Sequence, residues 1–484
     1  MCKIGNRKML RNYLFYFFVF FILNSSFALN DNTIKKKFII KSIETEGNRI
    51  TREHIIQREL TFTIDDTLTL DILENSISQS KKNLLNTLLF NFVDISYAIS
   101  DSIIVNQEII YNTKINISFT ERWYTWPIPL FMIEERNFND WWETKSMEKL
   151  SYGIIIKRDN FRGRKEELSL VFKTGYNEQY GIKYEIPYIN KSQTIGMGGT
   201  VSLKRNHSLP VTTENHNHFF LTIDDSYPIE NIYFNYQLTH RKGIHNFHRY
   251  HIQYDEVTFS DTVFAINSDF INPIHNKYKY FTMSYYFKSD YRNFRSYPLT
   301  GYYFDCEIKK QGFDIIKNNS VSLLSITSNY RKFWELFPQL YYAVGLTGKL
   351  RMDSDRSYYF NRAMGFGRNY VRGYESYIID GQNFFLLKSN FKYNIIPEKV
   401  INLNFIKTEK FNKIPYAFYI NFFTDAGYVS DKYFADNNNL SNKWLWGYGI
   451  GLDFISYYDI VYRFEVSRNI ENEFGFTIQF MAPI

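Results

Sequence analysis

The residues best placed to do chemistry are an arginine and an aspartate in two glycine-bearing motifs. Arg372 lies in Gly367-Arg368-Asn369-Tyr370-Val371-Arg372-Gly373-Tyr374-Glu375, and Asp425 in Phe423-Thr424-Asp425-Ala426-Gly427. A guanidinium is a planar fork of donors that fits a carboxylate with two parallel hydrogen bonds, a geometry lysine cannot reproduce. That chemistry is holding, not bond-making. The chain has no Walker loop, no G-x-S-x-G, no H-E-x-x-H and no C-x-x-C. No catalytic constellation, cofactor or nucleotide site is expected, and the chain reads as a non-enzyme. His216 and His218, and then His245, His248 and His251, are the only histidine clusters. Strand positions three apart face opposite ways, so the second set is a poor metal site. Both sets read as loop or interface residues.

The elements that must carry the two motifs are strands. Approaching Asp425, alternation puts Asn421, Phe423 and Asp425 on one face and Phe418, Ile420 and Phe422 on the other. Further on, Tyr448, Ile450, Leu452 and Phe454 oppose Gly447, Gly449, Gly451 and Asp453. Then Ile460, Tyr462, Phe464 and Val466 oppose Arg463, Glu465 and Ser467. Last, Phe474, Phe476, Ile478 and Phe480 oppose Gly475, Thr477 and Gln479. One face is apolar and aromatic; the other is polar or bare. The glycine row lets an inserted segment come close to the backbone, and the expected occupant is the 365–375 loop. From about 125 to 484, such segments recur between Asn, Asp, Gly and Pro, and no convincing helix is expected. Roughly 360 residues at about 22 per strand and loop give about 16 strands, within the range of closed membrane barrels.

Composition agrees with that reading. Of 484 residues, 22% are charged and 19% aromatic, and the mean hydropathy is −0.35. This is too polar for a helical membrane protein and suits strands apolar on one side only. Of the net +7, four charges (Lys3, Arg7, Lys8 and Arg11) fall in the first 28 residues, which hold no acid. No electrostatic footprint for nucleic acid remains. Residues 1–28 read as an export signal, with an apolar core from Tyr13 to Leu23 and a small-x-small site at Ser26-Phe27-Ala28. The mature chain would keep one thiol, Cys306, read as an ordinary strand residue.

A small α+β module is expected at about 35–122. A strand from Lys37 to Glu46 is followed by a short helix that Thr51 could cap. After a turn at Asp65-Asp66, a longer helix runs about 70–89, with Leu73, Ile77, Leu84, Leu85 and Leu88 on one face. Strands follow at about 92–99 and 113–121, the second with Ile115, Ile117 and Phe119 turned inward.

The pairing of V-R-G-Y with F-x-D-x-G resembles the outer-membrane assembly and secretion superfamily of β-barrels, the BamA, TamA and FhaC relatives. The strand-helix-helix-strand-strand order, with EGNRIT, LFNFVDI and a terminal ISFTER, resembles a single POTRA domain. The resemblance implies a mainly β fold: a 16-stranded antiparallel transmembrane β-barrel (125–484) behind one POTRA domain (35–122) and a signal peptide (1–28). It implies that Val371, Arg372, Gly373 and Tyr374 lie on a lumen loop, about 362–380, facing Phe423, Asp425 and Gly427 on a lumen strand. The function implied is assistance to the insertion of other outer-membrane proteins. Clients would dock on the POTRA sheet edge and pair at a seam between a first strand near 128–138 and a last near 474–482, which carries Phe474, Phe476, Ile478 and Phe480. The ending Phe480-Met481-Ala482-Pro483-Ile484 lacks a terminal aromatic, and Pro483 cannot donate to a ladder. A two-partner secretion pore and a passive diffusion barrel are the alternatives. The implied partners are the outer-membrane bilayer, unfolded clients, and periplasmic chaperones or accessory lipoproteins.

Overall fold

Alternating apolar residues commit most of this chain to sheets. The computed structural model describes residues 36–105, 108–133, 150–272, 274–313, 321–353, 355–403, 412–456 and 460–480. The expected export signal, part of the expected first strand (134–138) and the chain end (481–484) lie outside the described residues.

The N-terminal part is a small α+β domain. Its elements are β1 (Lys36–Glu46), α1 (Glu53–Gln57), β2 (Thr67–Leu68), α2 (Leu70–Asn86), β3 (Phe90–Val105) and β4 (Glu108–Glu121). The sheet order is β2-β1-β4-β3. Ile115, Ile117 and Phe119 on β4 are buried, as alternation requires. Phe38 stacks on Tyr111 with centroids 5.2 Å apart and meets Tyr97 edge-on. Two local expectations fail. Thr51 does not cap α1. Its hydroxyl donates to Glu121 Oε1 at 2.7 Å and accepts from Asn160 Nδ2 at 2.8 Å, so Arg52 takes the N-cap position without a side-chain bond. The long helix stops at Asn86, because Leu88 adopts φ +62° in the turn into β3 and points to solvent while Leu89 is buried.

Sixteen strands form one antiparallel sheet. They are β5 (Thr125–Ile133), β6 (Leu150–Phe161), β7 (Glu166–Gly175), β8 (Glu178–Ile186) and β9 (Ile195–Asn206). A separate hairpin, β10 (Ser208–Glu214) and β11 (Asn217–Thr222), interrupts the series. The sheet resumes with β12 (Ile229–Lys242), β13 (Asn246–Phe259), β14 (Lys277–Asp290), β15 (Gly301–Gln311), β16 (Leu323–Phe337) and β17 (Leu340–Arg351). Two short strands, β18 (Arg362–Met364) and β19 (Ile379–Asp380), pair with each other. The series ends with β20 (Asn383–Asn402), β21 (Lys413–Ser430), β22 (Trp444–Ile455), β23 (Val461–Asn469) and β24 (Phe474–Gln479). Neighbours follow chain order from β5 to β24. Among the described residues, one α-helix breaks the expected all-strand pattern: α3, Asp261–Ile266, buries only Val263 and is too short to show a helical period. Among the described residues, no helix is long and apolar enough to cross a membrane.

The sheet is inside-out relative to a soluble core. Phe422 is 54% exposed on the outer face of β21, while Asp425 on the inner face is 1% exposed. Outward Trp444, Trp446, Phe474 and Phe476 are exposed, while inward Arg463 and Glu465 are fully buried. At the rim where β17 runs into β20, two apolar clusters form. One gathers Met364, Val371, Tyr374, Phe384 and Leu445 around the β17–β20 connection. The other gathers Val211, Val257, Phe259, Phe270 and Tyr358 beneath the β10–β11 hairpin.

Candidate functional site

The β17–β20 connection turns inward against the wall formed by β20 to β23. Gly373 has φ +96°, a left-handed conformation that a side chain would strain. This turn brings the Arg372 backbone onto Gly447 of β22, where an added Cβ would stand 1.8 Å from the Arg372 carbonyl oxygen. The other glycines of that row serve different neighbours. Gly449 makes room for the Phe423 ring and Gly451 for the Asn421 amide, both from β21. Gly427 lies against Val371 and Met364.

Arg372 is fully buried and uses its whole fork. Nη2 donates to Asp425 Oδ1 at 2.6 Å and Nε to Oδ2 at 2.8 Å; its backbone N–H reaches the same Oδ2 at 3.2 Å. Nη1 donates to Glu465 Oε1 at 3.1 Å. The guanidinium carbon sits 3.8 Å from the centre of the Phe423 ring, a cation–π contact that covers the remaining face. Val371 and Tyr374 are buried on either side. The structure thus brings together Val371, Arg372, Gly373, Tyr374, Phe423, Asp425 and Gly427. Phe474, Phe476, Ile478 and Phe480 lie apart from them, on the outer face of the last strand and just beyond it.

Sequence reasoning missed part of this site. Glu465 is the second carboxylate on Arg372, and Arg463 beside it holds Asp453 through a second bidentate pair. On β20, Lys388, Asn390, Lys392 and Asn394 also face inward, and all are buried. Their K-x-N-x-K-x-N spacing was the available signal. The loop also grips the last hairpin. Asn469 Nδ2 donates to Gly373 O at 3.0 Å, Gln479 Nε2 to the Tyr370 hydroxyl at 2.8 Å, and the Tyr377 hydroxyl to Glu473.

A second anchor of the same connection stands at its outer end. Thr213 of β10 donates to the buried Asp380 carboxylate and lies 2.7 Å from the Tyr358 hydroxyl. Burial, outweighing the Thr213 hydrogen bond and assisted by Asp431, pushes the Asp380 carboxyl up to about 7. His216 packs edge-on against Tyr377, and its carbonyl accepts the Ile378 N–H at 2.9 Å. Burial, and then Arg362, push His218 down to about 4. Among the described residues, no group of three His, Cys, Asp or Glu could hold a metal ion.

A 16-stranded sheet, apolar outside and charged inside, with its own loop fastened to the inner wall, defines an outer-membrane barrel. Residues 160–457 match the Omp85 superfamily domain, and the chain belongs to the Omp85 superfamily. Its members are transport and assembly barrels rather than enzymes, set in the lipid of the bacterial outer membrane. Similar solved structures include the following two. BamA from Haemophilus ducreyi, lacking POTRA domains 1–3, is 15% identical over 92% of this chain and 83% of that one, with a TM-score of 0.49. CdiB from Escherichia coli is 10% identical over 92% of this chain and 75% of that one, with a TM-score of 0.51. No curated protein matches the sequence.

Proposed function

We propose that this barrel assists the insertion of other outer-membrane proteins, with the N-terminal α+β domain acting as a POTRA module that receives unfolded clients from the periplasm. The carrying observation is the weakness of one end of the sheet. β20 and β21 pair over most of 20 and 18 residues, whereas β24 has six residues and pairs with β23 only from Arg468↔Phe474 to Arg463↔Gln479. Among the described residues, no register joins β24 to β5. Unpaired backbone groups are costly in lipid, so a client strand that supplies them is favoured there. The Arg372–Asp425 pair keeps the loop in the lumen while the seam works. The edge strand β3 of the small domain offers a place for β-augmentation.

A second reading, export of one partner protein through the lumen, fits the fold shared with CdiB. Depletion of the protein followed by proteomics of the outer membrane separates them. Loss of many barrels supports insertion. Loss of one secreted protein supports export and overturns the first reading, and no loss overturns both.

A further inference from the structure

We propose that the inner face of β20 is a binding site for an acidic, extended polypeptide segment, built from Lys388, Asn390 and Lys392 with Arg463 opposite. This rests on the reading that the barrel handles unfolded polypeptide. The case begins with unused donors. Lys388, Lys392 and Arg463 are at least 95% buried, yet both lysine ammonium groups find no hydrogen-bond acceptor in the protein, and Arg463 Nη1 has only an ion-pair contact with Glu465 Oε1 at 3.8 Å. Both amide atoms of Asn390 and the Asn421 carbonyl oxygen are likewise unpartnered. Buried donors without acceptors are costly, and charged ones most of all.

Three of the surrounding carboxylates are already engaged, while Glu375, which acts on Lys388, keeps Oε1 without a partner. Asp425 takes two side-chain bonds from Arg372, Asp453 takes two from Arg463, and Glu465 takes one from Arg372. What each lysine has instead is an aromatic ring. Lys388 lies 4.3 Å from the Tyr370 ring centre and Lys392 4.3 Å from that of Tyr297. Neither ring belongs to the wall. Tyr370 is on the β17–β20 loop and Tyr297 on the β14–β15 loop. Two loops therefore cover a strip whose ammonium groups they leave without a hydrogen-bond acceptor; Glu375 of the first loop acts on Lys388 through space without bonding it.

The spacing suits an extended ligand. Residues at i, i+2 and i+4 of a strand project from one face about 6.8 Å apart. Alternate side chains of an extended peptide recur at the same interval. Carboxylates would meet the two ammonium groups, and the Asn390 amide, a donor and an acceptor together, would meet the backbone between them. Tyr370 would be displaced as the segment enters.

The test is binding of a fluorescent deca-glutamate peptide to the full chain in vesicles, with deca-glutamine and free glutamate as controls. Deca-glutamate should bind at least tenfold more tightly than deca-glutamine and weaken with salt. A Lys388→Gln/Lys392→Gln variant should lose tenfold or more, and Lys388→Arg/Lys392→Arg should retain binding. Removing unpaired buried cations should not prevent folding, which heat-dependent gel mobility checks; should the double variant fail to fold, Lys392→Gln alone must still weaken binding at least threefold. Equal binding of both peptides, or full binding by the Gln variants, overturns the site. Free glutamate matching the peptide at equal carboxylate concentration overturns the polypeptide assignment. Because binding is read on purified protein, its failure leaves the depletion result untouched.

Discussion

The β17–β20 connection is fastened at two carboxylates of opposite character. At the inner end, Asp425 receives a guanidinium fork, and the pair is wholly buried. At the outer end, Asp380 is as well buried but receives a threonine hydroxyl. The first anchor is an ion pair. The second has little compensating charge, with Arg362 the weakest influence on it, so its strength should follow its protonation. One connection thus combines an ion pair with a hydrogen-bonded carboxyl whose value is raised.

Breaking the inner anchor should have the largest effect. Arg372→Ala would leave Asp425 and Glu465 buried without their shared cation, a loss of about 3–5 kcal/mol for a broken buried pair. Denaturant titration of the folded barrel in detergent should show it, together with protease cleavage within 365–378. Arg372→Lys should recover part of the loss, since an ammonium cannot span both oxygens. Arg372→Met combined with Asp425→Leu should recover more, because the charge at position 425 is removed and Glu465 keeps Arg463 at 3.8 Å. Equal stability of Arg372→Ala and the parent would mean that the loop is held by apolar packing alone.

A second test addresses the inside-out sheet. Phe476, 66% exposed on β24, should face lipid. Phe476→Arg should cost about 2–4 kcal/mol near the bilayer midplane and about 0–1 near an interface. Refolding into vesicles at graded denaturant measures it. The inward neighbour Thr477 should tolerate the same change better. A reversal between these positions would contradict the facing of the sheet.

How much of this was legible in the sequence follows from the physics of strands. Period-two alternation reports which face a residue occupies, so the division between Phe422 and Asp425, or between Phe464 and Arg463, could be read directly. Chain length was compatible with about 16 strands, and the number 16 itself was what the family resemblance implied. Alternation carries no information on which inward residues meet across the wall, so Glu465 was placed on the correct face without its bond to Arg372. The same gap explains the glycine row: Gly449 and Gly451 face inward, but their neighbours come from β21 and β23 and not from the loop. Short elements escaped for another reason. The six-residue α3 contains too few turns to show a period, and the β10–β11 hairpin owes its burial to distant partners such as Tyr358 and Asp380. Thr51 was misread as a cap because its hydroxyl answers to Glu121 and Asn160, both far along the chain.

The outer anchor predicts pH dependence. The folded-state value for Asp380 is raised to about 7 from an ordinary 3.8. A raised carboxyl value means that the folded state holds the proton more tightly. The contribution is fully present below about pH 4 and is lost as pH rises through 7. Contact between the hairpin and the connection should therefore tighten in acid. Hydrogen exchange at the Ile378 amide, which donates to His216 O, should slow on acidification beyond its intrinsic rate change. Asp431, Arg362 and Tyr358 also face this carboxyl, so Asp380→Asn, which keeps the shape and removes the titration, is the needed control. An unchanged pH response in that variant would assign the effect to another group.

The smallest expected effect joins the inner anchor to the end of the sheet. Gln479 on β24 donates to Tyr370 of the loop at 2.8 Å, and its next acceptor is Glu465, 3.5 Å away. Glu465 in turn receives Arg372. Gln479→Ala removes one neutral hydrogen bond, worth about 0.5–1.5 kcal/mol, and leaves the bonds between Arg372 and Asp425 intact. Global stability should barely change, while amide exchange along Phe474–Gln479 should speed up several-fold, because among the described residues β24 is paired with β23 alone. If exchange also rises within 370–374, the loop and the last strand respond together, and displacement of β24 by an incoming strand would loosen the loop. A rise confined to β24 would make the inner anchor independent of the seam, since its two bonds to Asp425 tie it to β21, three strands from the end.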